Sequence, residues 1–244
     1  MKRFPITIKP FGNSAVLIEW PPEVDGAILT EILDFVDAFK ALGLPHWEMS
    51  VAYNSLTMVH GGEGMDFADI RDMIIACHKG LVPTRKKREQ HLWTLPVCYD
   101  ADFGMDMGEV CHTLGLSREE LIHLHTSHRY LVYGMGFLPG FMYLGGLPES
   151  LEIPRRAEPR PLVAKGSVGL AAKQTGIYPQ ESPGGWNIIG NCPVPLFDPK
   201  AERPTFVKVG DWVRFEPIAR AEYELHKIEA EVGIYKPKKK LLDA

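Results

Sequence analysis

The sequence lacks several features that mark common functional classes. It has four cysteines in 244 residues and no Cys-x-x-Cys pair, which argues against a disulfide framework and a cysteine zinc site. It has no strong charge excess, because 27 basic and 31 acidic residues give a net charge of −4, so no overall field favours nucleic acid. No apolar stretch follows the two charges at the amino terminus, so no signal peptide is expected. These absences predict a reduced, cytoplasmic protein.

Motifs for nucleotide binding and nucleophilic catalysis are also missing. No GxxxxGK[ST] sequence occurs, which excludes a Walker-type ATP site in this chain. The glycines of residues 134–140 approximate a dinucleotide fingerprint, but the spacing is one residue too long and Pro139 blocks the helix that should follow. Neither Ser167 nor Ser182 lies in a GxSxG motif. The histidines between 112 and 128 fit no metal-ligand spacing, so no metal is expected.

One long uncharged run, Tyr130–Pro148, invites a membrane interpretation. It is 19 residues long, close to the length of a membrane-spanning helix. Five glycines and two prolines interrupt it, and in lipid the broken backbone would leave amide groups without hydrogen bonds. We therefore interpret this run as a buried, loop-rich segment and expect no membrane association.

The hydrophobic pattern predicts two domains of the α+β class. Residues 1–83 predict a small sheet-and-helix domain in the order ββαββα, with an amphipathic helix that begins after Asp25, a favoured N-cap residue. Residues 84–90 carry five charges among seven residues and are interpreted as a solvated linker. This basic run lacks interleaved aromatic residues, so nucleic-acid binding is not expected.

Residues 91–244 predict a second domain that is mainly β. A strand opens it, and two helices follow, of which the second begins at Ser117–Glu120, a capping-box pattern. Beyond these helices we predict only short strands, at 129–134, 162–164, 169–171, 187–190, 194–196 and 206–215. Frequent turns between short strands are typical of a β-barrel or a β-sandwich.

The candidate site lies where glycine and proline are concentrated. Residues 130–190 contain 11 glycines and 7 prolines, and polar side chains are interleaved with them. These polar residues are Arg155, Arg156, Arg160, Lys165, Lys173, Gln174, Thr175, Tyr178, Glu181 and Ser182. Arginine forks recognise carboxylate or phosphate, and glutamine and threonine suit an amide or carboxylate ligand. The alternative is that glycine and proline shape tight barrel corners while the charges face water.

Several motifs in a fixed order resemble one family over nearly the whole chain. They include the run Tyr130–Pro148, Ile153–Ala157, Gly166–Gly169, Gln174–Pro179, Glu181–Trp186 and Gly210–Phe215, with Gly12–Glu19 and Tyr53–Leu56 near the amino terminus. The chain is similar in these motifs to the family of the B-type subunit of 5-oxoprolinase. That family is also labelled allophanate hydrolase subunit 1 and includes the sporulation-kinase inhibitor KipI.

The resemblance implies a fold and an activity. It implies an N-terminal α/β domain, a cyclophilin-like β-barrel and the carboxyltransferase subdomain C and D architecture. It further implies that the chain acts with the C-type and A-type subunits of 5-oxoprolinase to open the lactam of 5-oxo-L-proline with ATP, giving L-glutamate. One alternative is a non-enzymatic inhibitor that binds a sensor histidine kinase, and another is a protein related to an allophanate hydrolase or urea carboxylase component.

The residues and the resemblance together give a hypothesis for the site. It comprises His125 and Glu181 as catalytic groups that move protons, and Arg155, Arg156, Gln174, Thr175 and Tyr178 as substrate-binding groups. Arg155 or Arg156 is assigned to a carboxylate or a transferring phosphate, and Gln174 to the lactam. We expect all of these side chains except that of Thr175 to face a cleft that a partner protein completes.

Overall fold

The structure divides the chain into two units, Met1–Arg88 and Glu89–Ala244. It is a computed structural model that describes residues 3–62, 66–81 and 88–242. The linker expected at 84–90 spans the division, but residues 84–87 lie outside the described residues, so the linker stays a prediction. Each unit is mixed α and β with largely antiparallel pairing, and the expected class of mixed helix and sheet is confirmed.

The first unit is an antiparallel sheet accompanied by two helices. Its elements are β1 (Thr7–Pro10), β2 (Ala15–Glu19), α1 (Gly26–Lys40), β3 (Trp47–Ala52), β4 (Ser55–His60) and α2 (Phe67–Gly80). The strands pair in the order β1-β2-β4-β3. Asp25 caps α1 as expected, because its carboxylate accepts a hydrogen bond of 2.7 Å from the amide of Ala27.

The second unit contains ten further strands and three α-helices within its described residues, besides a short 3-10 turn at Glu149–Leu151. They are β5 (Gln90–Val97), α3 (Met107–Leu114), α4 (Arg118–Ser127), β6 (Tyr130–Met135), β7 (Met142–Gly145), β8 (Arg160–Val163), β9 (Ser167–Ala171), β10 (Gln174–Ile177), β11 (Ser182–Gly184), β12 (Asn187–Asn191), β13 (Trp212–Pro217), α5 (Arg220–Glu231) and β14 (Lys238–Leu242). The capping box that starts α4 is confirmed, with reciprocal bonds between Ser117 and Glu120.

The main sheet of the second unit closes on itself. Its strands follow the order β5-β13-β6-β7-β10-β9-β12, and only the β5–β13 pair is parallel among the described strands. Cys98, just after β5, and Asn191, at the end of β12, exchange two backbone hydrogen bonds of 2.9 Å, which joins the two ends of the path. Apolar side chains fill the interior, among them Leu95, Val168 and Phe215. β8 and β11 form a two-stranded ribbon of their own.

Two strands predicted for this unit differ from the structure, and the prediction lacked one helix and the strands β7, β10, β11 and β14. Residues 194–196 are not a strand, because Pro193 and Pro195 have no amide to donate to a ladder. The strand expected over 206–215 begins only at Trp212, since Gly210 adopts a φ of 90° and the preceding residues form a turn. Helix α5 was not predicted at all.

Candidate functional site

An open aromatic pocket lies on the second unit. It has a volume of about 260 Å³ and is lined by Phe137, Phe141, Tyr143, Arg155, Pro159, Tyr178, Pro183, Gly184, Gly185 and Trp186. We call it the aromatic pocket. Half of its lining residues are aromatic, and Arg155 is the one residue among them that carries a charge. An apolar wall with a single cation suits a small ligand that has an apolar body and one acidic group.

The rings of this pocket form a fixed wall rather than a loose surface. Phe141 makes edge-on contacts with Tyr178 at 5.9 Å and with Trp186 at 5.5 Å between ring centroids. Tyr178 and Trp186 are both buried. At Gly184 a Cβ atom would lie 2.3 Å from the Tyr178 hydroxyl oxygen, so only glycine lets β11 pass this close to the ring. The pocket shape therefore depends on both rings and on the glycine between them.

Phe137 stands out at the edge of the pocket. It lies in the turn between β6 and β7, its φ is +69°, and its side chain is 61% exposed. A phenylalanine in the left-handed region is strained, and such strain concentrates at ligand-binding sites. Phe137 is not among the predicted site residues, although it lies in the uncharged run Tyr130–Pro148 that carries the family resemblance.

Arg155 and Arg156, predicted together as substrate clamps, have different surroundings. Arg155 is exposed at the aromatic pocket and has no ion pair within the described residues. The Arg156 guanidinium donates to Asp106 at 3.1 Å and to Glu109 at 2.9 Å, and these carboxylates raise its pKa. The chain's own carboxylates thus occupy Nη1 of Arg156, whereas its buried Nε has no hydrogen-bond partner within the described residues, and the role of Arg156 at a ligand stays a prediction. Arg155 is the arginine that the structure places at the pocket.

His125 lies in the core of the second unit rather than at a cleft. Its ring is fully buried and stacks on Phe215 at 4.4 Å between centroids. Its Nδ1 is 2.7 Å from the Tyr99 hydroxyl oxygen, and its Nε2 is 2.8 Å from Oγ1 of Thr175. His125 was expected to face a cleft, but the closed sheet encloses its ring together with the Thr175 side chain. Their catalytic and binding roles stay predictions.

The hydrogen bonds around His125 run in one direction. The Thr175 hydroxyl lies 3.1 Å from the carbonyl oxygen of Gly169 and donates to it. This leaves Oγ1 of Thr175 to accept from Nε2–H of His125, and Nδ1 to accept from the Tyr99 hydroxyl. A neutral imidazole with its proton on Nε2 satisfies every bond in this chain. Burial, helped by the charge of His128, lowers the pKa of His125 to about 3.

The low pKa of His125 predicts how stability depends on pH. Unfolded His125 binds a proton near pH 6.5, whereas the folded ring stays neutral down to about pH 3, so acid favours the unfolded chain. Between pH 6.5 and 4.5 we expect this group to lower the free energy of unfolding by about 2 kcal/mol. Urea denaturation across this range should show a shallower decline for His125→Gln than for the wild type, while His123→Gln on the same helix keeps the wild-type slope. Equal slopes for all three proteins would contradict the assignment.

The other predicted site residues are divided between surface and interior. Tyr178 lines the aromatic pocket, and burial raises the pKa of its hydroxyl. Gln174 is half-buried at the start of β10, and Glu181 is exposed between β10 and β11. Neither of these two lines the aromatic pocket. The structure does not bring the two predicted proton carriers together, since His125 is buried in the core and Glu181 faces solvent.

Sequence reasoning missed the aromatic wall and one buried carboxylate. Phe141 and Trp186 form that wall, and Asp106 holds the neighbouring arginines. The density of aromatic residues in the uncharged run and the Gly-Gly-Trp sequence at 184–186 could have indicated a ring-lined pocket. Asp106 gave no signal, because a single aspartate before a helix is ordinarily an N-cap.

Two absences hold for the part of the chain that the structure describes. No group of three or more potential metal-binding side chains occurs in residues 3–62, 66–81 and 88–242. Over the same ranges, none of the helices has both the length and the apolar character needed to cross a bilayer.

The fold and the pocket define a class, and comparison with known proteins gives the family. The class is that of mixed α/β proteins with a closed sheet and an aromatic pocket beside it. The chain belongs to the family described as carboxyltransferase domain, subdomain C and D, whose model matches residues 6–207.

Proteins with known names are similar to part of the chain. It is 46% identical over 136 residues to the B-type subunit of 5-oxoprolinase from Bacillus subtilis, covering 56% of this chain and 57% of that protein. It is 48% identical over 129 residues to the protein of the same name from Escherichia coli O157:H7, covering 53% and 59%. The aligned part is thus somewhat more than half the length of these relatives.

Solved structures extend the similarity over most of the chain. The protein TTHA0988 matches with a TM-score of 0.72 and 32% identity, covering 84% of this chain and 40% of that one. The conserved uncharacterized protein PH0987 from Pyrococcus horikoshii matches with a TM-score of 0.53 and 37% identity, covering 89% and 100%. Kluyveromyces lactis urea carboxylase shares the fold at a TM-score of 0.82 and 17% identity, over 97% of this chain and 24% of that one.

Proposed function

We propose that the chain is the B-type subunit of a 5-oxoprolinase, a complex that opens the lactam of 5-oxo-L-proline to give L-glutamate. The observation that carries this proposal is the single arginine, Arg155, at a small aromatic pocket. The substrate has one carboxylate, which matches an arginine fork, and a compact ring whose carbon atoms suit an aromatic wall. The names of the relatives from Bacillus subtilis and Escherichia coli support the same activity.

The roles of the side chains follow from where they lie. Arg155 binds the substrate carboxylate, and the rings of Phe141, Tyr178 and Trp186 hold the lactam ring. In the reaction the amide C–N bond breaks, water supplies the hydroxyl to the carbonyl carbon, and the ring nitrogen takes a proton. Glu181, exposed close in sequence to this wall, is the proposed proton carrier, and Gln174 the proposed hydrogen-bond donor to the lactam.

The proposal includes partners and a cofactor that this chain does not supply. The C-type and A-type subunits complete the enzyme, and the complex uses ATP. The sequence of this chain has no phosphate-binding loop of its own. We further propose that residues 91–244 form a cyclophilin-like barrel, that residues 84–90 link it to the N-terminal domain, and that the complex is cytoplasmic. The closed sheet of the second unit supports the barrel assignment.

Reconstitution with one component left out at a time tests the proposed activity. The three proteins are mixed with 5-oxoproline and ATP, and glutamate and ADP are measured. We expect glutamate from the complete mixture and none when this chain, a partner or ATP is omitted. An unchanged rate without this chain would overturn the proposal, and so would a complete mixture that forms no glutamate. If the chain instead inhibits a sensor histidine kinase without forming glutamate, the inhibitor alternative replaces it.

A further inference from the structure

The rim of the aromatic pocket is built on a ribbon that is separate from the main sheet. Arg155 and Pro159 precede β8, whereas Pro183, Gly184 and Gly185 lie in or next to β11. β8 and β11 pair only with each other among the described strands, at Ser182–Val163 and Gly184–Arg160. A two-stranded ribbon is marginally stable by itself, so other contacts must fix the position of this rim.

One buried carboxylate supplies several of those contacts. Asp106 is 3% exposed and occupies the N-cap position of α3, yet its side chain makes no capping hydrogen bond. Its Oδ1 instead accepts from Nη1 of Arg156 at 3.1 Å and from Nη2 of Arg160. Its Oδ2 accepts from Nη1 of Arg160 at 2.9 Å. Both arginines lie in residues 155–160, the part of the rim that leads into β8, which we call the rim segment. A single buried charge therefore holds this segment at two points.

The same residue is fixed to the main sheet. The Asp106 carboxylate accepts from the amide of Ile188 at 2.6 Å, and the Asp106 amide donates to the carbonyl oxygen of Ile188 at 2.9 Å. Ile188 lies in β12, a strand of the closed sheet. Asp106 therefore connects the rigid sheet to the ribbon that carries the pocket rim. Within the rim, the amide of Arg156 donates to the carbonyl oxygen of Gly185 at 2.8 Å. This bond joins the part of the rim before β8 to the part that follows β11.

We propose that Asp106 is a positioning residue that sets the place of Arg155 at the aromatic pocket. The expected effect of Asp106 on substrate binding rests on the proposed function, whereas its anchoring of the rim does not. Arg155 directly precedes Arg156, so the bonds that hold Arg156 fix the backbone from which the Arg155 side chain extends. Without the Asp106 charge, Arg156 and Arg160 lose their shared partner and the rim segment moves more freely.

The chain offers a matched control for this proposal. Glu109 also pairs with Arg156, at 2.9 Å, but its side chain is 64% exposed, and within the described residues it bonds neither to Arg160 nor to the main sheet. An exposed ion pair of this kind contributes little to the stability of the fold. Asp106→Asn keeps the size of the side chain and removes its charge, and Glu109→Gln makes the same change at the control position. If Asp106→Asn does not fold, Arg160→Gln breaks the same pair from the ribbon side.

The test combines amide hydrogen exchange on the full chain with kinetics of the reconstituted complex. For Asp106→Asn we expect faster exchange over 155–160 and 182–186, a KM for 5-oxoproline raised about tenfold, and a kcat changed less than about threefold, because a binding group is misplaced. Glu109→Gln should leave the exchange rates, the KM and the kcat unchanged. Wild-type exchange and KM in Asp106→Asn, or equal effects in Glu109→Gln, would overturn the proposal. An inactive wild-type complex would count against the proposed function alone, because the exchange result still decides whether Asp106 anchors the rim.

Discussion

Replacing Arg155 by alanine is expected to lower kcat/KM of the reconstituted complex for 5-oxoproline by about 10²-fold, the size of one lost, well-positioned charged contact. The melting temperature of the chain should stay close to that of the wild type, because Arg155 is exposed and makes no ion pair within the described residues. Steady-state kinetics and a thermal melt on the same preparation measure both quantities.

Two variants separate a specific contact from a general loss of positive charge. Arg214→Ala removes another exposed arginine, from β13 and outside the pocket, and should leave kcat/KM unchanged. Arg155→Lys keeps the charge but loses the planar fork, so its kcat/KM should lie between those of the wild type and the alanine variant. Full activity of Arg155→Ala would place the carboxylate site elsewhere. Unfolding of Arg155→Ala would show that the residue is structural.

Replacing His125 by alanine should destabilise the second unit more than any surface change. The substitution removes a fully buried ring that stacks on Phe215, and it leaves the Tyr99 hydroxyl without its acceptor in the core. A cavity combined with an unsatisfied buried hydroxyl lowers the free energy of unfolding by about 3–5 kcal/mol. In a chain of this size that corresponds to a fall in melting temperature of roughly 6–20 °C. Calorimetry and urea denaturation give the two values.

The neighbouring His123 provides the comparison for this prediction. It lies on the same helix two residues before His125 and is exposed, so His123→Ala should change the free energy of unfolding by less than about 0.5 kcal/mol. A His125→Ala protein as stable as His123→Ala would contradict the description of His125 as a core residue. It would also restore the expectation that the ring faces a cleft.

Elements with strong local signals were predictable from the sequence. The apolar spacing after Asp25 gave helix α1, and the Ser117–Glu120 pair gave the start of α4, because caps and amphipathic spacing act within one or two helical turns. Helix α5 was missed because its pattern is weak. Tyr223 is its one buried residue, while Leu225 and Ile228 are more than half exposed.

The segment that holds the pocket was predictable, but the orientation of its side chains was not. Every lining residue of the aromatic pocket lies within 137–186, inside the segment singled out for its glycines and prolines. However, β9 and β12 are buried along their whole length, so alternation does not distinguish inside from outside. Only closure of the sheet decides that Thr175 points into the core with His125. Likewise, the pairing of Arg156 with Asp106 joins residues 50 positions apart, which no local pattern encodes.

A crystal structure of the assembled complex with 5-oxoproline bound would test most directly where the substrate lies. We expect the substrate carboxylate within hydrogen-bonding distance of the Arg155 guanidinium, with the lactam ring against Phe141 and Trp186. Electron density for the substrate at a site that Arg155 does not reach, with the aromatic pocket empty, would contradict the central claim.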